Sequence, residues 1–110
     1  MTNEAAIEKE IQSKGLNAPR LSPQMINDAI ASYVSGRASD LFKDVPASDA
    51  LKCLTICIIT MKNGFTIVGK SACASPENFD AELGHKIAYE DARKQIWALE
   101  GYALRNKLAA

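Results

Sequence analysis

A basic excess is the first thing this 110-residue chain lacks: thirteen Lys and Arg stand against thirteen Asp and Glu. Generic binders of nucleic acid or anionic lipid carry such an excess, so neither DNA nor a membrane surface is an expected partner, although local basic pockets remain compatible with neutrality. Long apolar runs are missing too. The best of them, Leu51 to Met61, is interrupted by Lys52, Thr55 and Thr60, and a bilayer span needs about 20 apolar residues. No charged segment followed by an apolar one opens the chain, so no secretory signal is read, and the expected compartment is the cytoplasm. Cysteines are few and odd in number: Cys53, Cys57 and Cys73. Two share one apolar stretch, which argues for small buried hydrophobes rather than a disulfide framework. The lone His85 offers no second ligand at zinc-site spacing, so no metal is expected. With only four Pro and six Gly, 47% hydrophobic and 24% charged residues, wholesale disorder is excluded. A single domain over residues 1–110 is expected, with residues 1–15 a loosely attached helix.

Four segments carry structural signals. The first runs from Thr2 to Lys14, where Thr2 or Asn3 can cap a short helix with the narrow stripe Ala6, Ile7, Ile11, and Gly15 can end it. In the second, Ser22 suits an N-cap and Pro23 the first helical position. Ile26, Ala29, Ile30, Tyr33 and Val34 then follow helical spacing up to Gly36. Residues 36–50 read as a loop, with Leu41 and Phe42 turned back to the core. The third is a hairpin, Leu51–Met61 and Phe65–Ala72 joined by Lys62-Asn63-Gly64. A two-residue Asn63-Gly64 turn would pair Thr60 with Ile67 and Ile59 with Val68. Both faces of that ribbon are apolar, which predicts cover on both sides and favours self-association. The fourth begins at Ser75-Pro76 and continues as one helical face through Leu83, Ile87, Ala88, Ala92, Ile96, Leu99 and Ala103. Acids crowd its first half and bases its second, complementing the helix dipole. Some 29 residues of helix would reach about 43 Å, longer than the roughly 34 Å diameter of a chain this size. It therefore breaks at Gly101, projects toward a neighbour, or does both. The expected fold is α+β: an antiparallel hairpin (about 51–61 and 65–72), a short N-terminal helix pair and one long C-terminal helix (about 79–108), completed by oligomerisation.

Catalytic patterns are sparse. Asp80 with Glu82, or Glu90 with Asp91, sit at helix spacings that do not face one another, so a solvated acidic face explains them. His85 has no orienting partner in sequence, Ser71 and Ser75 lie in no nucleophile elbow, and Gly64 with Gly69 is no dinucleotide fingerprint. No enzyme is expected. Binding is better supplied. Phe65 beside the turn is either a stacking ring or a core residue. Lys70, Arg93, Arg20 and Arg37 are phosphate candidates or surface charges. The stretch Ser71–Asp80 leads to a helix start, where free N–H groups favour an anion.

The run Asn63-Gly64-Phe65, Gly69, Ser71-Ala72, then Ser75-Pro76-Glu77-Asn78-Phe79-Asp80, Glu82 and Gly84, then Ile96-Trp97, Leu99-Glu100-Gly101-Tyr102 resembles a small family of tailed-phage and prophage proteins. Ala18-Pro19-Arg20 and Ser22-Pro23 extend the likeness, which covers about residues 16–109. The same pattern resembles the phage anti-Thoeris sponge proteins. That resemblance implies binding of glycocyclic ADP-ribose signals, and of cyclic oligonucleotides at separate sites, without cleavage. It implies dimers building hexamers in the host cytoplasm, pockets between subunits, and neither cofactor nor metal. Phe65 and Asn78 occupy motif positions and would contact base or ribose. Asp80 would accept a ribose hydroxyl or merely cap the helix. Arg93 and Arg105 are phosphate candidates on chemical grounds, beside Lys70. The hairpin's only cations are Lys52, Lys62 and Lys70. A phage protein that docks on and disables a host protein through its apolar hairpin is the competing expectation.

Overall fold

The computed structural model describes residues 3–110. Its elements are helix α1 (Glu4–Ser13), helix α2 (Pro23–Ala29), strand β1 (Ile30–Arg37), short helices α3 (Ala38–Leu41) and α4 (Asp49–Cys53), strands β2 (Leu54–Met61) and β3 (Thr66–Ala72), a 3-10 turn (Pro76–Asn78) and helix α5 (Ala81–Ala109). The strands form one antiparallel sheet in the order β1-β2-β3. The α+β class, the hairpin and the long C-terminal helix are as the sequence predicts.

Three local expectations are corrected. The helix begun at Ser22 does start there, with the Ser22 hydroxyl accepting from Met25 N, but it ends at Ala29. Residues 30–37 become a strand instead of two more helical turns. The cause is tertiary: β2 is mostly buried, so the N–H and C=O groups along both its edges need partners, and β1 supplies the second edge. Within the expected loop 36–50, α3 and the start of α4 form, and α4 takes the first three residues of the expected strand. Ser48 caps α4 by accepting from Leu51 N.

The hairpin register differs by one residue. Ile59 pairs with Ile67, Ile58 with Val68 and Thr60 with Thr66. Gly64 N–H donates to Met61 O at 2.9 Å and Met61 N–H to Phe65 O at 2.8 Å. Gly64 takes φ +90° while Asn63 keeps negative φ. Lys62-Asn63-Gly64 is therefore a three-residue loop closed by a left-handed glycine rather than a two-residue turn with both centres left-handed. Since alternate residues face opposite sides, both registers keep Cys57, Ile59 and Met61 together on β2. The shift exchanges which β3 residues join them.

Those residues define the core face. Cys57, Ile59, Met61 and Ile67 pack against Ala88, Ala92 and Ile96 of α5, with Ile26 of α2 closing one end. Gly69 allows the approach: a Cβ built there would lie 2.3 Å from Ala88 O. Two groups on the outer edge of β3 are satisfied by α5 itself. Lys70 N–H donates to Asp91 Oδ2 at 2.9 Å, and Gln95 Nε2 donates to Val68 O at 2.8 Å. This is one way a sheet edge is blunted against further pairing. The opposite sheet face stays open, with Val34 65%, Ile58 39% and Val68 55% exposed.

Asp80 caps α5, its Oδ1 accepting from Leu83 N at 2.9 Å, so the helix starts later than Ser75 suggests. It runs unbroken through Gly101. The overall extents are 52 × 29 × 18 Å and the radius of gyration 17.0 Å, against about 13 Å for a compact chain of this length. The break that the length allowed at Gly101 does not occur, and the helix runs on past it.

Candidate functional site

Helix α1 buries no residue and is held by charge at two points of its N-terminal half, Glu4 and Glu8. Glu4 accepts from Arg93 Nε at 2.7 Å and Nη2 at 2.8 Å, and from Trp97 Nε1 at 3.0 Å. Arg93, 5% exposed, also donates to Tyr89 Oη and Pro23 O. One turn on, Glu8 takes Arg20 at 2.7 and 2.9 Å. The Arg93 hydrogen bonds hold the Glu4 carboxyl below the ordinary glutamate value, against the opposing effect of its partial burial. Glu4 in turn raises the Arg93 guanidinium. Arg20 does the same for the half-buried Glu8, helped by Gln12. Asn3 stands at the α1 N-cap without a side-chain cap bond; Thr2, the other candidate cap, lies outside the described residues.

Because α1 is clamped by its polar side chains rather than seated, it roofs a cavity of about 600 Å³ over α5. Ile7, Ile11, Leu21, Ile87 and Trp97 line it, with Glu4, Glu8, Lys70, Glu90, Asp91 and Lys94 among the polar members. Volumes of this order are typical of small-molecule sites.

The six sequence-predicted ligand residues do not meet in one protomer. Lys70 lines the α1–α5 cavity, and Arg93 is consumed by the Glu4 clamp. Asn78 and Asp80 line a second, small cavity of about 90 Å³ with Cys53, Thr55, Ser71 and Leu83. There the capping role of Asp80 is realised. Phe65 stands at the hairpin tip, 55% exposed, with its N–H donating to Asn63 Oδ1. Five residue steps along the chain separate it from Lys70, about 16 Å. Arg105 lies exposed on the projecting end of α5, about 16 Å of helix beyond Lys94.

One cluster escaped sequence reasoning. The Ser35 hydroxyl is hydrogen-bonded to His85 Nδ1. Tyr33 stacks on the imidazole at 5.7 Å and lies 4.8 Å from Tyr89, centroid to centroid. His85 thus has the orienting partners its sequence neighbours lack. Tyr33 and Ser35 share a strand face only because residues 30–37 are β, and the helical reading of that segment hid them. Among the described residues the other imidazole nitrogen has no carboxylate partner, so the serine–histidine pair is not extended to a triad. Arg37 is likewise held, with its guanidinium 3.9 Å over the Phe79 ring and its Nε donating to Lys52 O. No cysteine is bonded to another, and burial raises the thiols of Cys53 and Cys57, as expected of small buried hydrophobes. No group of three or more metal-ligating side chains occurs among the described residues, nor any helix long and apolar enough to cross a membrane.

Fold and site together define a small α+β protein in which one long helix backs a three-stranded sheet and a clamped N-terminal helix roofs a cavity. Residues 21–108 match the model of the phage protein (N4 Gp49/phage Sf6 gene 66) family, and the chain belongs to that family. No curated protein and no solved structure matches it.

Proposed function

We propose that this phage-family protein acts by binding rather than catalysis, sequestering cyclic nucleotide immune signals of the glycocyclic ADP-ribose type inside the infected host. The observation that carries this is Phe65. Sequence left it either a core residue or a stacking ring, and at 55% exposure it is not core. An exposed aromatic at a rigid turn is suited to stack on a purine. Phe65 precedes β3 and Asn78 follows its far end, so the length of that strand, about 20 Å, separates them and one protomer cannot gather both around one small ligand. Such a sponge therefore needs a second copy. The projecting half of α5, with Leu99, Tyr102 and Leu108 exposed, supplies apolar surface for that contact. Calorimetric titration with glycocyclic ADP-ribose isomers tests this: saturable binding that Phe65→Ala weakens at least tenfold supports it. Absence of binding to these and to cyclic oligonucleotides refutes it.

The open sheet face favours a second reading, in which Val34, Ile58 and Val68 dock on a host protein. Stoichiometric retention of one host protein, lost in Val34→Asp, would select that reading.

A further inference from the structure

The ladder between β2 and β3 pairs Leu54 with Ala72 at its far end, and it carries on by one more pair. That pair is Cys53 opposite Cys73, with the Cys73 N–H donating to Cys53 O at 3.1 Å. The Met61–Phe65 hydrogen bond fixes which pairs of the ladder are hydrogen-bonded, and Cys53 with Cys73 is one of them. Opposed Cα atoms at such positions lie about 5.5 Å apart. Disulfides most often bridge Cα atoms about 5.5–6 Å apart. The side chains fit this spacing: the Cys73 thiol lies 3.6 Å from Cys53 O and within hydrogen-bond reach of the Cys53 thiol. Both residues line the small cavity that also holds Asn78 and Asp80. The third thiol, Cys57, is fully buried and stands opposite Gly69, which has nothing to link.

We propose that Cys53 and Cys73 form an oxidisable dithiol, which a small disulfide such as oxidised glutathione converts to a bond across the two strands. Cys73 is the half-buried member and meets the oxidant first. Its thiolate attacks one sulfur of glutathione disulfide, which forms a mixed disulfide and releases one glutathione. Cys53 then loses its proton to water and attacks the Cys73 sulfur, and the second glutathione leaves. The two thiols give up two electrons and two protons, and the oxidant is reduced to two molecules of glutathione. Burial, which raises the Cys53 thiol, suits it to the resolving step rather than the first attack. The new bond fastens the end of α4 to the exit of β3, just before the 3-10 turn that carries Asn78.

The full chain is reduced, freed of reductant and treated with one equivalent of Ellman's reagent. The expected result is release of two equivalents of thionitrobenzoate and a single-chain product two hydrogens lighter, whose fragments link Cys53 to Cys73 and leave Cys57 free. Excess glutathione disulfide should give the same product. Its Tm should rise by about 10 °C, because residues 53–73 become a closed loop in the unfolded chain. Cys57→Ala should leave the reaction unchanged. Cys53→Ala should stop it at a stable adduct on Cys73 with one equivalent released. A parent protein that keeps the Cys73 adduct, a bond that takes Cys57, a link between two chains, or no reaction with glutathione disulfide would overturn the assignment. The fragments of the parent decide this even where a variant fails to fold.

Discussion

Substituting alanine at two glycines should move stability in opposite directions. At Gly69 the added Cβ lies 2.3 Å from Ala88 O, 2.4 Å from Ala92 N and 2.8 Å from Ala92 Cβ. Non-bonded atoms want about 3.5 Å, so sheet and helix must separate by about 1 Å over the centre of the core. Two of the three obstacles are backbone, which no rotamer change relieves. The cost belongs at the top of the overpacking range, about 3 kcal/mol. Unfolding entropy near 2.1 cal/mol/K per residue gives about 0.23 kcal/mol/K for 110 residues, so Gly69→Ala should lower Tm by about 13 °C. At Gly101 the nearest atom to a built Cβ is Leu21 Cδ1 at 3.8 Å, ordinary contact. There the change only removes the helix penalty of glycine, about 0.5–1 kcal/mol, and Tm should rise by about 2–4 °C. Calorimetric melting of both variants beside the parent is the assay. A Gly69→Ala protein melting within 2 °C of the parent, or a Gly101→Ala protein melting below it, would refute the packing described for α5.

Glu4→Gln should release α1: amide exchange across residues 4–13 should quicken several-fold and Trp97 emission shift to the red, while exchange in β2 and α5 stays slow. Acid should do the same. The Glu4 carboxyl is held below its ordinary 4.5, so the clamp's contribution is complete above pH 4.5 and is lost as pH falls through the lowered value. Trp97 emission should therefore be flat from pH 7 to 5 and change below 4.5. Ser22→Ala removes the α2 cap and should cost about 1 kcal/mol, read as a lower midpoint in urea. Phe65→Ala should leave Tm within 2 °C of the parent, since half the ring is already in water.

What was legible in the sequence follows from how local each signal is. The Asn63-Gly64 hairpin and helix α5 are set by neighbours in sequence, and both formed, although of the α5 stripe only Ala88, Ala92 and Ile96 are buried while Leu83, Ile87 and Leu99 stay exposed. The one-residue register shift turns on which residue takes positive φ, and Asn-Gly is compatible with both loop lengths. Strand β1 was hidden because Ile26, Ala29, Ile30, Tyr33 and Val34 fit a helical stripe, while the demand for a third strand comes from β2, twenty residues away. The candidate site was less legible for the same reason. Arg93 was a phosphate candidate until Glu4, 89 positions earlier, proved to be its partner. The α1–α5 cavity depends on that pair and on Glu8–Arg20 to hold the helix, and Ser35 meets His85 across 50 positions. The exposure of Phe65 was left open by spacing and decided by the turn.

Recovery of the ligand tests the central claim most directly. The protein is saturated with a glycocyclic ADP-ribose isomer, separated from free ligand, heat-denatured, and the released molecule is run against a standard. Sequestration predicts that the isomer returns chemically intact, in fixed ratio to the protein. Release of a cleaved product, or of nothing, would contradict it.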